Sequence, residues 1–179
     1  MARKRVLVVV DFQHDFVDGA LGFARAQALE HSIVARIGEY RESGDDVVFT
    51  LDTHTPDYLT TQEGQNLPVE HCIKGTQGWS LYGEVANQIL DTDRRFEKHT
   101  FGSVELGQYL AASGYESVLL VGVATNICVI ANAVLAKTFL PEALVVVDAS
   151  CTASFDDCLH QAALDVMKSL QIAVVDGEK

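Results

Sequence analysis

The run Val6-Leu7-Val8-Val9-Val10, closed by Asp11, most constrains what this chain can fold into. A strand that is apolar at every position, with no polar alternation, has to be covered on both faces, which is the pattern of a parallel sheet. Parallel neighbours in turn require crossover connections, usually helices. The rest of the chain supplies them. Strand-like segments over 46–52, 94–98, 117–123, 143–149 and 172–175 alternate with helical spacing over 26–43, 81–90, 104–113, 126–137 and 156–170. The first helical segment carries Ile33, Ile37 and Tyr40 on one face and stops at Gly44. This alternation predicts an α/β fold: three layers, α/β/α, around a mostly parallel sheet. Neither a repeat nor a linker interrupts it, so one domain over 1–179 is expected.

Composition narrows the partners. A formal net charge of −12 disfavours nucleic acid and anionic membrane surfaces. The apolar run after the basic start, Met1 to Arg5, is too short for a secretion signal, and no stretch reaches membrane-spanning length. Cys72, Cys128, Cys151 and Cys158 lack the spacing of a disulfide scaffold, so a cytoplasmic protein with reduced thiols is expected. The segment Asp11 to Gly19 has neither glycine pattern used to cradle nucleotide phosphates after a first strand. Residues 53–78, with Pro56, Gly64, Pro68, Gly75 and Gly78, read as a long irregular loop. Such loops in compact domains usually carry function.

In parallel sheets, ligands bind outside the carboxyl ends of the strands. Asp11, Asp52, Lys98 and Cys128 all fall there. Cys128 opens a predicted helix, where the backbone dipole favours the nucleophilic thiolate. Asp11 could move the thiol proton, Lys98 could hold both anions, and the N–H groups of Ala124 and Cys128 could receive an oxyanion. The plain structural alternatives are a loop-capping Asp11, a solvated Lys98 and a buried, inert Cys128. A second set is Asp52, His54 and His71. Residues two apart on an extended segment share a side, and two imidazoles with a carboxylate suit Zn²⁺, with Fe²⁺ or Mn²⁺ as alternatives. Taken alone, His54 and His71 read equally as surface loop histidines. Cys72, adjacent to His71, points the other way and is not assigned. His14, His31, His99 and His160 have no partners at ligand spacing and read as structural or solvated.

Taken in order, Val8-Val9-Val10-Asp11-Phe12-Gln13-His14-Asp15-Phe16, Asp52-Thr53-His54, Glu70-His71-Cys72-Ile73-Lys74-Gly75-Thr76, Lys98-His99-Thr100-Phe101 and Gly122-Val123-Ala124-Thr125-Asn126-Ile127-Cys128-Val129 resemble the isochorismatase-like cysteine hydrolases. Within them the chain is most similar to the nicotinamidase/pyrazinamidase branch. The resemblance implies a six-stranded, Rossmann-like sheet, a triad of Asp11, Lys98 and Cys128, and a cis peptide between Val123 and Ala124. It also implies a metal held by Asp52, His54 and His71, and a homo-oligomer acting on a small amide. The implied reaction takes nicotinamide to nicotinate and ammonia through an acyl-thioester. Three departures leave the substrate open. Leu67-Pro68-Val69-Glu70-His71 stands where the branch usually has Trp-Pro-x-His, Pro56 comes one position late, and Asn126-Ile127 replaces Asp-Tyr before the cysteine. Phe16, Phe101 and Trp79 are the candidates for a replacement aromatic wall. The alternatives are a ureido, carbamoyl or other small amide as substrate, an isochorismatase-type hydrolase, and a non-catalytic association domain or thiol redox sensor.

Overall fold

A computed structural model describes residues 4–177. Six strands form one all-parallel sheet in the order β3-β2-β1-β4-β5-β6. They are β1 (Arg5–Val10), β2 (Asp46–Asp52), β3 (Arg94–Lys98), β4 (Ser117–Val123), β5 (Leu144–Ala153) and β6 (Ala173–Val175). The central pair obeys the two-residue period of a pleated strand. Val6, Val8, Val10, Val118 and Leu120 pack on one face, against α6 (Val104–Ser113), α7 (Ile130–Phe139) and α8 (Asp157–Ser169). Leu7, Val9, Leu119 and Val121 pack on the other, against α2 (Ala24–Ala28), α3 (Glu30–Glu42) and α5 (Gly83–Asn87). Helices therefore cover both faces, as continuous apolar strands demand. None of the described helices is long and apolar enough to cross a membrane.

Strand order reverses between β1 and β4, so their carboxyl ends open a crevice. The β2–β3 register places Asp52 beside Lys98 at the neighbouring rim. Gly122 explains how β1 and β4 approach so closely. Its φ is +111°, and a Cβ there would lie 2.1 Å from the Val10 carbonyl oxygen. Only glycine accommodates both conditions.

Element boundaries differ from the sequence expectation where local geometry intervenes. The expected helix over 26–43 is two helices, α2 and α3, meeting at the buried Leu29. The expected helix over 81–90 shrinks to α5, because Leu81 pairs with Gln13 in an antiparallel bridge and Gly83 takes φ +52°. Residues 53–78 are less irregular than expected. They contain a 3₁₀ turn (Tyr58–Thr60) and the short helix α4 (Gln62–Asn66), whose start is capped by the Thr61 hydroxyl. The expected helix at 126–137 begins as a π-helical turn, Thr125–Val129, before α7. The remaining helix, α1 (His14–Val17), follows β1 directly.

We expect Gly122→Ala to destabilise the fold by at least about 2 kcal/mol, since it combines backbone strain with a clash against β1. Chemical denaturation of the two proteins measures it, and an unchanged midpoint would show that the two strands can move apart.

Candidate active site and metal centre

Lys98 is the last residue of β3 and is 3% exposed. Its Nζ lies 2.6 Å from Asp11 Oδ2, 3.1 Å from Asp52 Oδ1 and 3.5 Å from Cys128 Sγ. The sheet thus brings the three sequence-selected residues together, one from the end of β3, one after β1 and one after β4. Asp11 is fully buried in a left-handed backbone conformation, φ +46°. Its Oδ1 accepts from the Thr50 hydroxyl at 2.6 Å. Its Oδ2 touches Lys98 outside hydrogen-bond geometry and has no hydrogen-bond donor among the described residues. A lone pair of Asp11 is therefore free for a proton.

Electrostatics set the protonation states. Burial pushes the Asp11 carboxyl above the usual range, and the Lys98 ammonium only partly reverses this. Burial also raises the Cys128 thiol well above an ordinary cysteine, and the Asp11 charge adds to it. Cys128 therefore favours the neutral thiol, not the thiolate expected from its place at a helix start. The sulfur sits in a buried π-helical turn, where lost hydration outweighs the backbone dipole. Burial works against the Lys98 ammonium too, but the charges around it, Asp11 foremost, outweigh it and keep the proton on. Ala124 and Cys128 line the cavity at the same turn, where the Val123–Ala124 peptide is cis.

Beside this cluster, Asp52, His54 and His71 converge. His54 Nε2 and His71 Nε2 lie 3.0 and 3.5 Å from Asp52 Oδ2. Glu63 joins them, with Oε1 3.8 Å from His54 Nε2 and 3.9 Å from His71 Nε2. All four ligand atoms lie within 4.8 Å of one another. Tetrahedral bonds of about 2.0–2.1 Å set ligand atoms about 3.3 Å apart, which is within the spread seen here. The His71 ring places Nδ1 2.8 Å from the Val69 carbonyl, the outer contact that leaves Nε2 free for an ion. These residues fit a divalent cation. Sequence reading missed Glu63. It stands on α4, inside the segment expected to be irregular, and no spacing rule links it to His71.

A cavity of about 490 Å³ reaches both clusters, touching Cys128, Asp52, Glu63 and His71. Phe16 and Phe101 line it, and Phe16 also packs on the His71 ring at 5.5 Å between centroids. Leu67 lines it as well, at the place where the branch usually has tryptophan. Trp79 does not. Its indole N–H donates to the Thr53 hydroxyl at 2.9 Å instead. Cys72 lies outside the donor set, its N–H held by Asp15 at 2.7 Å. His160 and His99 serve local structure, bonding Thr125 and the Thr53 carbonyl.

Thr50 gives a handle on the site. Thr50→Val removes the hydroxyl donor that favours ionised Asp11. The Asp11 pKa therefore rises further, and its carboxylate is lost at a higher pH than in the parent protein. Carbon-13 NMR of the carboxyl across pH checks this, and a shift downward would contradict the assigned hydrogen bond.

Known proteins share this fold. The Isochorismatase domain model matches residues 5–179. An isochorismatase family protein, PncA, of Bacillus subtilis (strain 168) is 31% identical over 175 residues, covering 90% of this chain and 92% of that protein. The crystal structure of nicotinamidase/pyrazinamidase PncA from Bacillus subtilis superposes with a TM-score of 0.86 at 29% identity, covering 97% of this chain and 100% of that one. The pyrazinamidase of Pyrococcus horikoshii in complex with zinc gives 0.85 at 25% identity, covering 97% and 99%. With the parallel sheet, the crevice at its switch point and this match along nearly the whole sequence, the chain belongs to the isochorismatase family of hydrolases.

Proposed function

We propose that this chain is a cysteine amidohydrolase converting nicotinamide to nicotinate and ammonia. One observation carries the reading: Cys128, backed by Lys98 and Asp11, lines a cavity that also reaches a four-residue metal donor set. The nicotinamidase relative in yeast and the pyrazinamidases of the same fold support this substrate class.

Asp11 takes the thiol proton as the Cys128 sulfur bonds to the carboxamide carbon. Lys98 holds the charge that passes between them. The N–H groups of Ala124 and Cys128 receive the carbonyl oxygen as it becomes negative. Asp11 then gives the proton to the departing nitrogen, the C–N bond breaks, and ammonia leaves an acyl-thioester. Asp11 next draws a proton from a water that adds to the thioester, and the acid departs with the thiol restored. Asp52, Glu63, His54 and His71 would hold the divalent ion, zinc by the nature of the donor set, and it would supply a Lewis-acid anchor for the substrate ring. Phe16 would pack on that ring. We further propose that the chain works as one domain, assembles as a homo-oligomer and resides in the cytoplasm. Four unpaired cysteines suit that compartment.

Ammonia release from nicotinamide tests the reading. Cys128→Ala should lower kcat/KM by at least about a thousandfold, and full activity in that variant would remove the mechanism. Glu63→Ala should weaken zinc affinity by about 10–100-fold, read by competition with a chromophoric chelator. Unchanged affinity would take Glu63 out of the donor set.

A further inference from the structure

The cavity is roomier than a single ring requires, and its two ends differ in chemistry. About 490 Å³ falls in the range of clefts that bury drug-sized ligands, about 300–1,000 Å³. The buried end holds Cys128, Asp52 and His71. The open end is walled by Leu21, Phe23, Ile127, Phe155 and Leu159. Ile127, Phe155 and Leu159 are 41%, 83% and 52% exposed, so large apolar side chains stand in water at one mouth. The wall is already assembled. The Phe23 and Phe155 rings meet edge to face, centroids 6.2 Å apart, and an Arg25–Asp157 ion pair ties the same two segments together.

Charge at this mouth excludes one class of substituent. Among the described residues, no lysine or arginine lines the cavity. Asp156 is present, but its carboxylate accepts from the N–H groups of Cys158 and Leu159 at 2.7 and 3.0 Å and is committed to starting α8. At this open end an anionic group would meet no unpaired cation among the described residues, since Arg25 is engaged by Asp157, and an apolar one would find aromatic and aliphatic surface on several sides.

We propose that the preferred substrate is a ring carboxamide bearing an uncharged apolar substituent. The carboxamide meets Cys128 and the substituent lies against Phe23, Ile127 and Phe155. This rests on the amidohydrolase reading above and names its substrate class.

The test compares kcat/KM by ammonia release for nicotinamide, 5-propylnicotinamide, 6-propylnicotinamide and 5-(2-carboxyethyl)nicotinamide. A buried methylene contributes about fourfold, so a propyl group half-covered by the open end should gain about tenfold for the better-placed isomer. The carboxyethyl compound should fall below nicotinamide. Phe155→Ser and Ile127→Ser should each cut the propyl-to-nicotinamide ratio at least threefold, with sedimentation velocity unchanged. Calorimetry on Cys128→Ala should show the same preference in binding alone. If nicotinamide is hydrolysed and neither propyl compound is better, this proposal fails and the amidohydrolase reading stands. If no carboxamide is hydrolysed, both fail. If Phe155→Ser alters the sedimentation coefficient and leaves the ratio intact, the wall is a contact between copies of the chain and the proposal is overturned.

Discussion

One buried ammonium holds this site together. Taking Lys98 out of water costs several kcal/mol even after relaxation, a cost that only close, well-placed anions offset. Asp11 and Asp52 are those anions, and Cys128 completes the set. The strand order explains why a lysine does this. Lys98 sits at the end of the edge strand β3, Asp52 on β2, Asp11 after β1 and Cys128 after β4. Neighbouring strands are about 4.8 Å apart. A long unbranched side chain lying across the sheet rim is the element able to touch groups from all three. Remove the cation and two carboxylates face each other in a dry crevice.

The two aspartates sharing that cation are driven apart in acidity. Asp52 has a hydrogen bond with His54, the His71 ring close by and the Lys98 charge, and these overcome its burial and hold it below the usual carboxylate range. Asp11 has no imidazole beside it, and burial takes it the other way. Identical side chains thereby acquire different capacities, one a permanent anion suited to a cation, the other able to accept and return a proton. The sulfur follows the same logic. Burial favours its neutral thiol, beside a carboxyl that burial also raises.

What was legible in the sequence follows from what local pattern can encode. Val6 to Val10 and Ser117 to Val123 read as buried strands because their apolar continuity is itself the cause of their burial. The strand-end positions of Asp11, Lys98 and Cys128 followed from that reading and a general rule about parallel sheets. Residues 53–78 were opaque because their order comes from distant contacts. The Tyr58 side chain is buried with its hydroxyl bonded to the Leu67 carbonyl, and Cys72 is held by Asp15 across 57 positions. Glu63 reaches the histidines only through that tertiary order. The outer cavity wall was equally hidden, since Phe23 and Phe155 meet only after four of the six strands, β2 to β5, have been laid down between them.

The short polar segment after β1 is what keeps the two clusters in register. Gln13 is fully buried, yet its amide is satisfied: it accepts from the Asp52 N–H at 2.8 Å and donates to the carbonyls of Asp52 and Trp79 at 2.9 and 2.7 Å. Two residues on, Asp15 fixes Cys72 in a left-handed conformation, φ +48°, directly beside His71. A Cβ on Gly78 would lie 2.0 Å from the Asp15 carboxylate, so any larger residue there would displace the group that holds Cys72. Asp11, two residues before Gln13, belongs to the same stretch. Asp11 and the residues that set the metal donors are therefore joined through one turn of chain. A displacement of the metal loop would pull on Gln13 and Asp15 before it could separate the donor set from Cys128.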